Sequence, residues 1–474
     1  MTILSLSYLI FVMLVWLILR LARFPRVWQI LLLAASYVFY GMWGLDFLAI
    51  LITSSLVNFL LGRGLRRNPT TRRLWLAVGA NILLLAIFKY FPSLSVSLLA
   101  NSAFTMLVKN IVMPVGISFW TFNAIGYLFD IYQGGDDEPT LLEFGLFMAF
   151  WPTVLSGPIS RMGDLLPQLR QVPKIAEEDL AAGTRRILIG LFMKVVLAQT
   201  LALGLQAGEG VADGFDKITG GWGGLDVWFL AIGFGFELYF DFAGYSHIVI
   251  GTARLFGIRL SENFERPYLS TTPAVFWTRW HMSLSFWIRD YVFMPLATRR
   301  RSLTWRNIML LLSMTVFGLW HGATAPLIAW GVYHGVLLVA HRLGQQLQRR
   351  LGWIWPTNGL GTMLAWGVTF ALVSLGWIFF RANDLSQALS MLAAVMSPST
   401  YRTLVLRPNF YIVTSLVIVG CFVYYGLDYL IARWQNQRAF RVVLWLLSPA
   451  CYTLMMVLII VWSKQESLFV YFQF

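Results

Sequence analysis

Apolar residues run along this chain in long, nearly unbroken blocks, separated by short polar stretches, with no alternation of apolar and polar positions. The blocks lie near residues 3–20, 27–43, 46–61, 74–91, 111–130, 141–158, 187–205, 223–250, 305–320, 323–341, 360–380, 409–430 and 442–462. Roughly 17–25 apolar residues cross a ~30 Å hydrocarbon core as a helix, whereas an outer-membrane barrel would read as short alternating segments. The pattern therefore predicts an all-α polytopic membrane protein with about 11–13 transmembrane or re-entrant helices. The blocks at 141–158 and 305–320 are the two expected to tilt or re-enter.

Composition strengthens this reading. The chain is 58% hydrophobic and 12% charged, with a mean hydropathy of +0.68. That is about half the charge of a soluble domain, too little polar surface to cover a water-soluble globule. The net charge of +14 would suit a nucleic-acid binder, but its distribution argues for topology and for no nucleic-acid partner. If residues 1–20 cross inward, the loops near 20–26, 62–73, 161–186, 254–306, 342–350 and 433–441 share one face and hold 28 of the 36 Lys and Arg. The positive-inside rule makes that face cytoplasmic and puts both chain ends on the opposite side, which is periplasmic for a chain in a bacterial inner membrane. The loop "AGEGVADGFDKITGG" on the opposite face is acidic. The first apolar block, with no basic residue ahead of it, reads as a retained helix and not a cleaved leader. Cys421 and Cys451 sit in apolar segments without metal-ligand spacing and read as packing residues.

The chain has no soluble domain or linker and reads as one membrane-embedded domain, 1–474. Its peripheral helices (1–91 and 360–474) are plain, and its core, about 114–335, is crowded with Trp, His, Arg, Asp, Asn, Pro and Gly. Residues 267–296, "PYLSTTPAVFWTRWHMSLSFWIRDYVFMPL", are too polar to span and too aromatic for an ordinary loop. At helical spacing Trp277, Trp280 and Trp287 share a face. The segment reads either as an interfacial helix or as a re-entrant segment lining a cavity, where polar backbone at membrane depth is tolerated; the titratable His281 favours the second. Residues 316–335, "VFGLWHGATAPLIAWGVYHG", carry two of the five histidines, His321 and His334. On one continuous helix these would point roughly 140° apart.

"FWTRWHMSLSFWIRDYVFMPL" and "FGLWHGATAPLIAWGVYHG" resemble the two signature regions of the membrane-bound O-acyltransferase superfamily, and within it the bacterial branch of alginate-type polysaccharide O-acetylation proteins. Further matches follow in order: "MPVGISFWTFNAIGYLFDIYQG", "FWPTVLSGPISR", "GLFMKVVLA", "ELYFDFAGYSHIVIG" and "GWIFFRA". The resemblance implies helices around a central funnel or tunnel, with His321 as the catalytic histidine and His281 as its partner. It further implies an acetyl group drawn from cytoplasmic acetyl-CoA as a substrate, with no tightly bound cofactor. The acetyl is delivered towards the periplasm for an exported polysaccharide such as alginate or cellulose. The implied partners are a periplasmic acetyl-accepting or polymer-modifying protein and the exopolysaccharide synthesis and export machinery, besides the bilayer itself. Members of the branch usually carry Asp where this chain has His247, so no role is carried over to that position.

The residues suit such chemistry. Acyl transfer to a hydroxyl needs a base, stabilisation of the carbonyl oxygen and alignment of both substrates. An imidazole titrates near neutrality, and an ionisable side chain in a membrane segment is a functional candidate by default. No serine or cysteine nucleophile motif flanks His321, which points to direct transfer; Gly322 would let backbone and substrate approach. Trp320, Trp280, Arg279, Asp241, Tyr245, Asp290 and Arg161 are candidates for the tunnel or substrate contacts, Arg161 and Arg279 for donor phosphates. Asp241, Glu237 and Asp130 should each meet an Arg, a Tyr hydroxyl or water, either to shape the tunnel or simply to join helices. His281 and His321 lack the short pairing of zinc ligands, and no metal site is expected. Two rivals remain: D-alanyl or other acyl transfer to a cell-wall polymer, and, in a different class, a transporter of a lipid-linked sugar or acyl carrier. The paired, broken half-repeats of such transporters are not visible.

Overall fold

The structure, a computed structural model, describes residues 1–91, 112–204, 210–217, 221–352, 358–434 and 437–463. The expected periplasmic tail beyond 463 and part of the acidic loop lie outside these residues. Among the described residues the secondary structure is helical, without strands. Lipid imposes this, because each backbone N–H and C=O must find its partner within its own segment. Nine helices among the described residues are long and apolar enough to cross a membrane. The chain forms two compact units, residues 1–187 with 246–262, and residues 188–245 with 263–474.

The first unit opens with α1 (Leu6–Arg20), capped by the Ser5 side chain, and α2 (Pro25–Gly41), whose proline sits where no N–H is needed. α3 (Leu45–Arg67) and α4 (Thr71–Lys89) follow, tied by reciprocal side-chain bonds between Asn58 and Asn81 at 2.7 and 3.1 Å. The expected span at 111–130 is corrected here, while the block at 141–158, expected to tilt or re-enter, holds only a short helix. α5 (Ile117–Tyr132) has 16 residues, about 24 Å of helix, and nearly all of it is buried. α6 (Leu141–Ala149) has nine, about 14 Å, before the chain turns through Pro152, Gly157 and Pro158. An apolar run does not by itself tell a bilayer span from a helix wrapped in protein. Gly116 makes the entry to α5 workable: its φ is 77°, and a Cβ there would stand 2.9 Å from Leu155 Cα. α6 starts in a capping box between Thr140 and Glu143, and Arg170, at the end of α7 (Met162–Leu169), reaches Glu143 at 3.0 Å.

The next helix, α8 (Glu177–Leu203), widens to π geometry over Phe192–Ala198. A short α9 (Val211–Lys217) leads to α10 (Gly224–Leu255), which contributes Gly224–Tyr245 to the second unit and the rest to the first. The segment 267–296, whose tryptophans fall at helical spacing in the sequence, is broken into short helices. α11 (Pro273–Trp277) ends, His281 adopts a left-handed conformation, and α12 (Met282–Ile288) begins, continuing through π and α turns to Ala297. Trp277, Trp280 and Trp287 therefore do not share one helical face. Trp277 and Trp280 pack on Phe276 before the break, and Trp287 packs on Tyr291 after it.

α13 (Leu303–His321) and α14 (Ala325–Leu351) form a helical hairpin. Ser302 caps the first helix and Pro326 sits in the first turn of the second. Their backbones touch at two glycines: a Cβ on Gly318 would overlap the Leu327 carbonyl oxygen and stand 3.0 Å from Gly331 Cα. Close approach through small residues is the usual glue of membrane helices, where lipid removes the hydrophobic drive to associate. Helices α15 (Gly359–Arg381), α16 (Leu385–Met396), α17 (Pro408–Trp434) and α18 (Arg438–Trp462) complete the unit. α18 presents no buried residue within its apolar window, as befits a helix facing lipid.

Candidate active site

His321 is the last residue of α13, and the hairpin turn that follows reverses the chain. The expectation that His334 points away from His321 on a continuous helix is corrected by that turn, which brings both histidines to one indole. Trp330 lies 5.2 Å from His321 and 5.1 Å from His334, centroid to centroid. His321 is 6% exposed and is walled by Phe317 at 5.3 Å, Trp320 at 4.6 Å and Phe380 of α15 at 4.9 Å. A Cβ on Gly322 would meet the Leu327 side chain at 2.7 Å, so the glycine lets the turn close on α14.

His281 is placed by a different device. Its φ of 41° makes it one of two non-glycine residues at positive φ among the described residues, the other being Arg266. Such a conformation costs of order 1–3 kcal/mol and persists only where surroundings enforce it. Here the enforcer is Asn263, itself fully buried: its carbonyl accepts the Met282 N–H at 2.9 Å and its Oδ1 accepts the Ser283 hydroxyl at 2.6 Å. Ser285 donates from its hydroxyl to the Trp280 carbonyl at 2.9 Å. The His281 ring is then held edge-on to Phe242 of α10 at 4.7 Å. Ring contacts lead from His281 to His321 through Phe264 (6.5 Å), Trp280 (5.2 Å), Trp377 (4.9 Å) and Phe380 (5.8 Å).

The other expected residues divide. Trp320 and Trp280 belong to this aromatic layer. Asp241, next to Phe242, forms a buried ion pair with Lys194 in the π segment of α8, a partner the sequence reading does not name. Gly244 makes room for that contact, since a Cβ there would stand 3.0 Å from the Lys194 backbone nitrogen. Tyr245 is buried one turn further along α10. Asp290 pairs with Arg289 at 2.7 Å. Arg279 is half-buried, and its carbonyl accepts the Glu265 N–H at 3.0 Å. Arg161 is an exposed residue of the first unit, at the start of α7. Sequence reasoning missed Lys194 and Asn263. A lone lysine inside "GLFMKVVLA" was the available signal for the first, and nothing in the sequence singled out the second.

Beside this layer lies a cavity of about 350 Å³. Its lining includes the buried Trp277, Met314, Phe317 and Ser313 and, at exposed or half-buried positions, Arg289, Arg342, His341 and Gln345. Trp277, Ser285, Phe286 and Arg289 of the segment 267–296 line this cavity, whereas His281 is not among its lining residues. Phe317 is both cavity wall and the ring stacked on His321. The space joins an apolar interior next to one imidazole to a cationic outer end.

Comparison with known proteins identifies the family. The chain is 36% identical over 384 residues to a probable alginate O-acetylase of Pseudomonas putida, covering 78% of this chain and 75% of the relative. A peptidoglycan O-acetyltransferase of Helicobacter pylori is 32% identical over 409 residues, covering 79% and 74%. A teichoic acid D-alanyltransferase of Streptococcus thermophilus is 37% identical over 296 residues, covering 57% and 69%. The sequence profile of the membrane-bound O-acyltransferase family matches residues 129–375, a stretch that contains both histidines. An apolar multi-helix chain with three buried histidines in those matched residues belongs to the membrane-bound O-acyltransferase family, and it is an O-acyltransferase.

Proposed function

We propose that this enzyme moves an acetyl group from acetyl-CoA, bound from the cytoplasmic side of the inner membrane, towards the periplasm for O-acetylation of an exported polysaccharide of the alginate or cellulose kind. A separate periplasmic protein receives the acetyl or finishes the transfer, in association with the polymer's synthesis and export machinery. The carrying observation is the cavity between His321's aromatic wall and Arg289 and Arg342. A thioester on a phosphate-bearing carrier has this shape: anionic at one end, small and uncharged at the reacting end. The arginines belong to the loops and helix ends assigned to the cytoplasm by charge, where acetyl-CoA is found. The names of the first two relatives favour an O-acetyl group over other acyl groups.

In this reading His321 takes the proton from the acceptor hydroxyl as the new C–O bond forms. The C–S bond then breaks, and the thiolate leaves with that proton. His281 orients the acceptor or His321 from its clamped turn, and Asp241 with Lys194 fixes the adjacent stretch of α10. Purified protein with radiolabelled acetyl-CoA tests the proposal. His321→Ala should lower turnover at least ~10³-fold with elution and thermal midpoint unchanged, and no label should remain covalently on the chain. Retained turnover, or labelled protein after one turnover, overturns it. D-alanyl transfer is the competing reading, supported by the teichoic acid relative. It wins if only a D-alanyl thioester on a carrier protein is consumed.

A further inference from the structure

Behind the cavity's inner wall, three rings carry buried nitrogen atoms that find no hydrogen-bond partner among the described residues: Trp277 Nε1, Trp330 Nε1, and both Nδ1 and Nε2 of His334. The rings are 7%, 1% and 0% exposed. They pack on one another, with Trp277 5.7 Å from Trp330 and 5.2 Å from His334, and Trp330 5.1 Å from His334. Trp330 also packs against His321 at 5.2 Å, and Trp277 lines the cavity. Gly376 secures the group from α15, since a Cβ there would stand 2.6 Å from His334 Nε2.

An indole N–H donates and cannot accept, and a neutral imidazole always carries one N–H. Buried donors in native proteins are almost always paired, and leaving one unpaired in a low-dielectric interior is costly. Apolar rings of similar shape would pack this space without that cost. A cluster of donors beside a reacting centre is complementary to an oxygen on which negative charge grows.

We propose that Trp277, Trp330 and His334 form a hydrogen-bond-donor pocket for the carbonyl oxygen of the acyl thioester. This rests on the thioester-donor reading given above and extends it to the reacting atom. As the acceptor oxygen bonds to the carbonyl carbon and its proton passes to His321, the carbonyl π electrons move onto the carbonyl oxygen. The donors hold the charge until the carbonyl re-forms and the C–S bond breaks, the thiolate leaving with the proton.

Two unreactive analogues test this on the purified full-length protein. One is the amide analogue of acetyl-CoA, which keeps the carbonyl; the other is S-ethyl-CoA, which lacks it. Wild type should bind the amide about tenfold more tightly. Trp277→Phe and His334→Phe keep a ring but lose the donor. They should cut that preference to about twofold without weakening S-ethyl-CoA, and lower kcat about 10²-fold with little change in KM. Trp330→Phe serves where either variant fails to fold, and Gly376→Ala, which pushes on His334, should reproduce the His334→Phe result. Equal binding of both analogues by wild type, or an unchanged preference in every variant that folds, overturns the pocket. If neither analogue binds wild type, the acetyl-CoA reading falls first and takes the pocket with it.

Discussion

His321 and His281 are the same residue type, similarly buried, in one structural unit, yet they are held in opposite ways. His321 stands on a regular helix, and its position follows from how α13 meets α14 at Gly318 and Gly331. His281 stands at a left-handed break between two short helices, pinned by Asn263. The first depends on helix packing, the second on a local clamp that enforces an unfavourable backbone. A fold can deliver two imidazoles to one aromatic layer with separate failure modes, and mutations should tell them apart.

The largest effect should come from the crossing. Gly318→Val forces side-chain atoms into the Leu327 backbone and should destabilise the protein by about 3 kcal/mol, measured as denaturant or thermal unfolding in detergent. An unchanged stability would mean that the hairpin is looser than described. Asn263→Ala should cost about 2 kcal/mol, because it removes the acceptor for the Ser283 hydroxyl and loosens the turn, and it should lower kcat more than KM. If activity survives at full strength, the clamp does not serve His281. The smallest effect gives the sharpest contrast, from Asn and Val variants at each histidine. Asn tolerates left-handed backbone and β-branched Val does not, so the Val variant at position 281 should be less stable than the Asn variant by about 1 kcal/mol. At position 321 the two have nearly equal helix propensity and should match. Equal gaps at both positions would remove the distinction drawn here.

The sequence determined the helical class and most element positions, and it pointed to the titratable residues inside apolar segments. Lipid permits one solution for long apolar runs, and a buried titratable residue announces itself against them. Each of the thirteen apolar blocks met a helix in the structure, including both partners of the His321 hairpin. What the sequence left undetermined was fixed by contacts between segments far apart in the chain. Only the fold shows that α5 and α6 are interior helices too short to span. The same is true of Lys194 meeting Asp241 across 47 residues, and of the turn after His321 that returns the chain so that Trp330 touches both histidines. The left-handed break at His281 is likewise invisible to periodicity, since its cause is a buried asparagine 18 residues earlier. Hydrophobicity is written residue by residue; the pairing of polar groups inside a low-dielectric interior is decided by which segments the packing brings together.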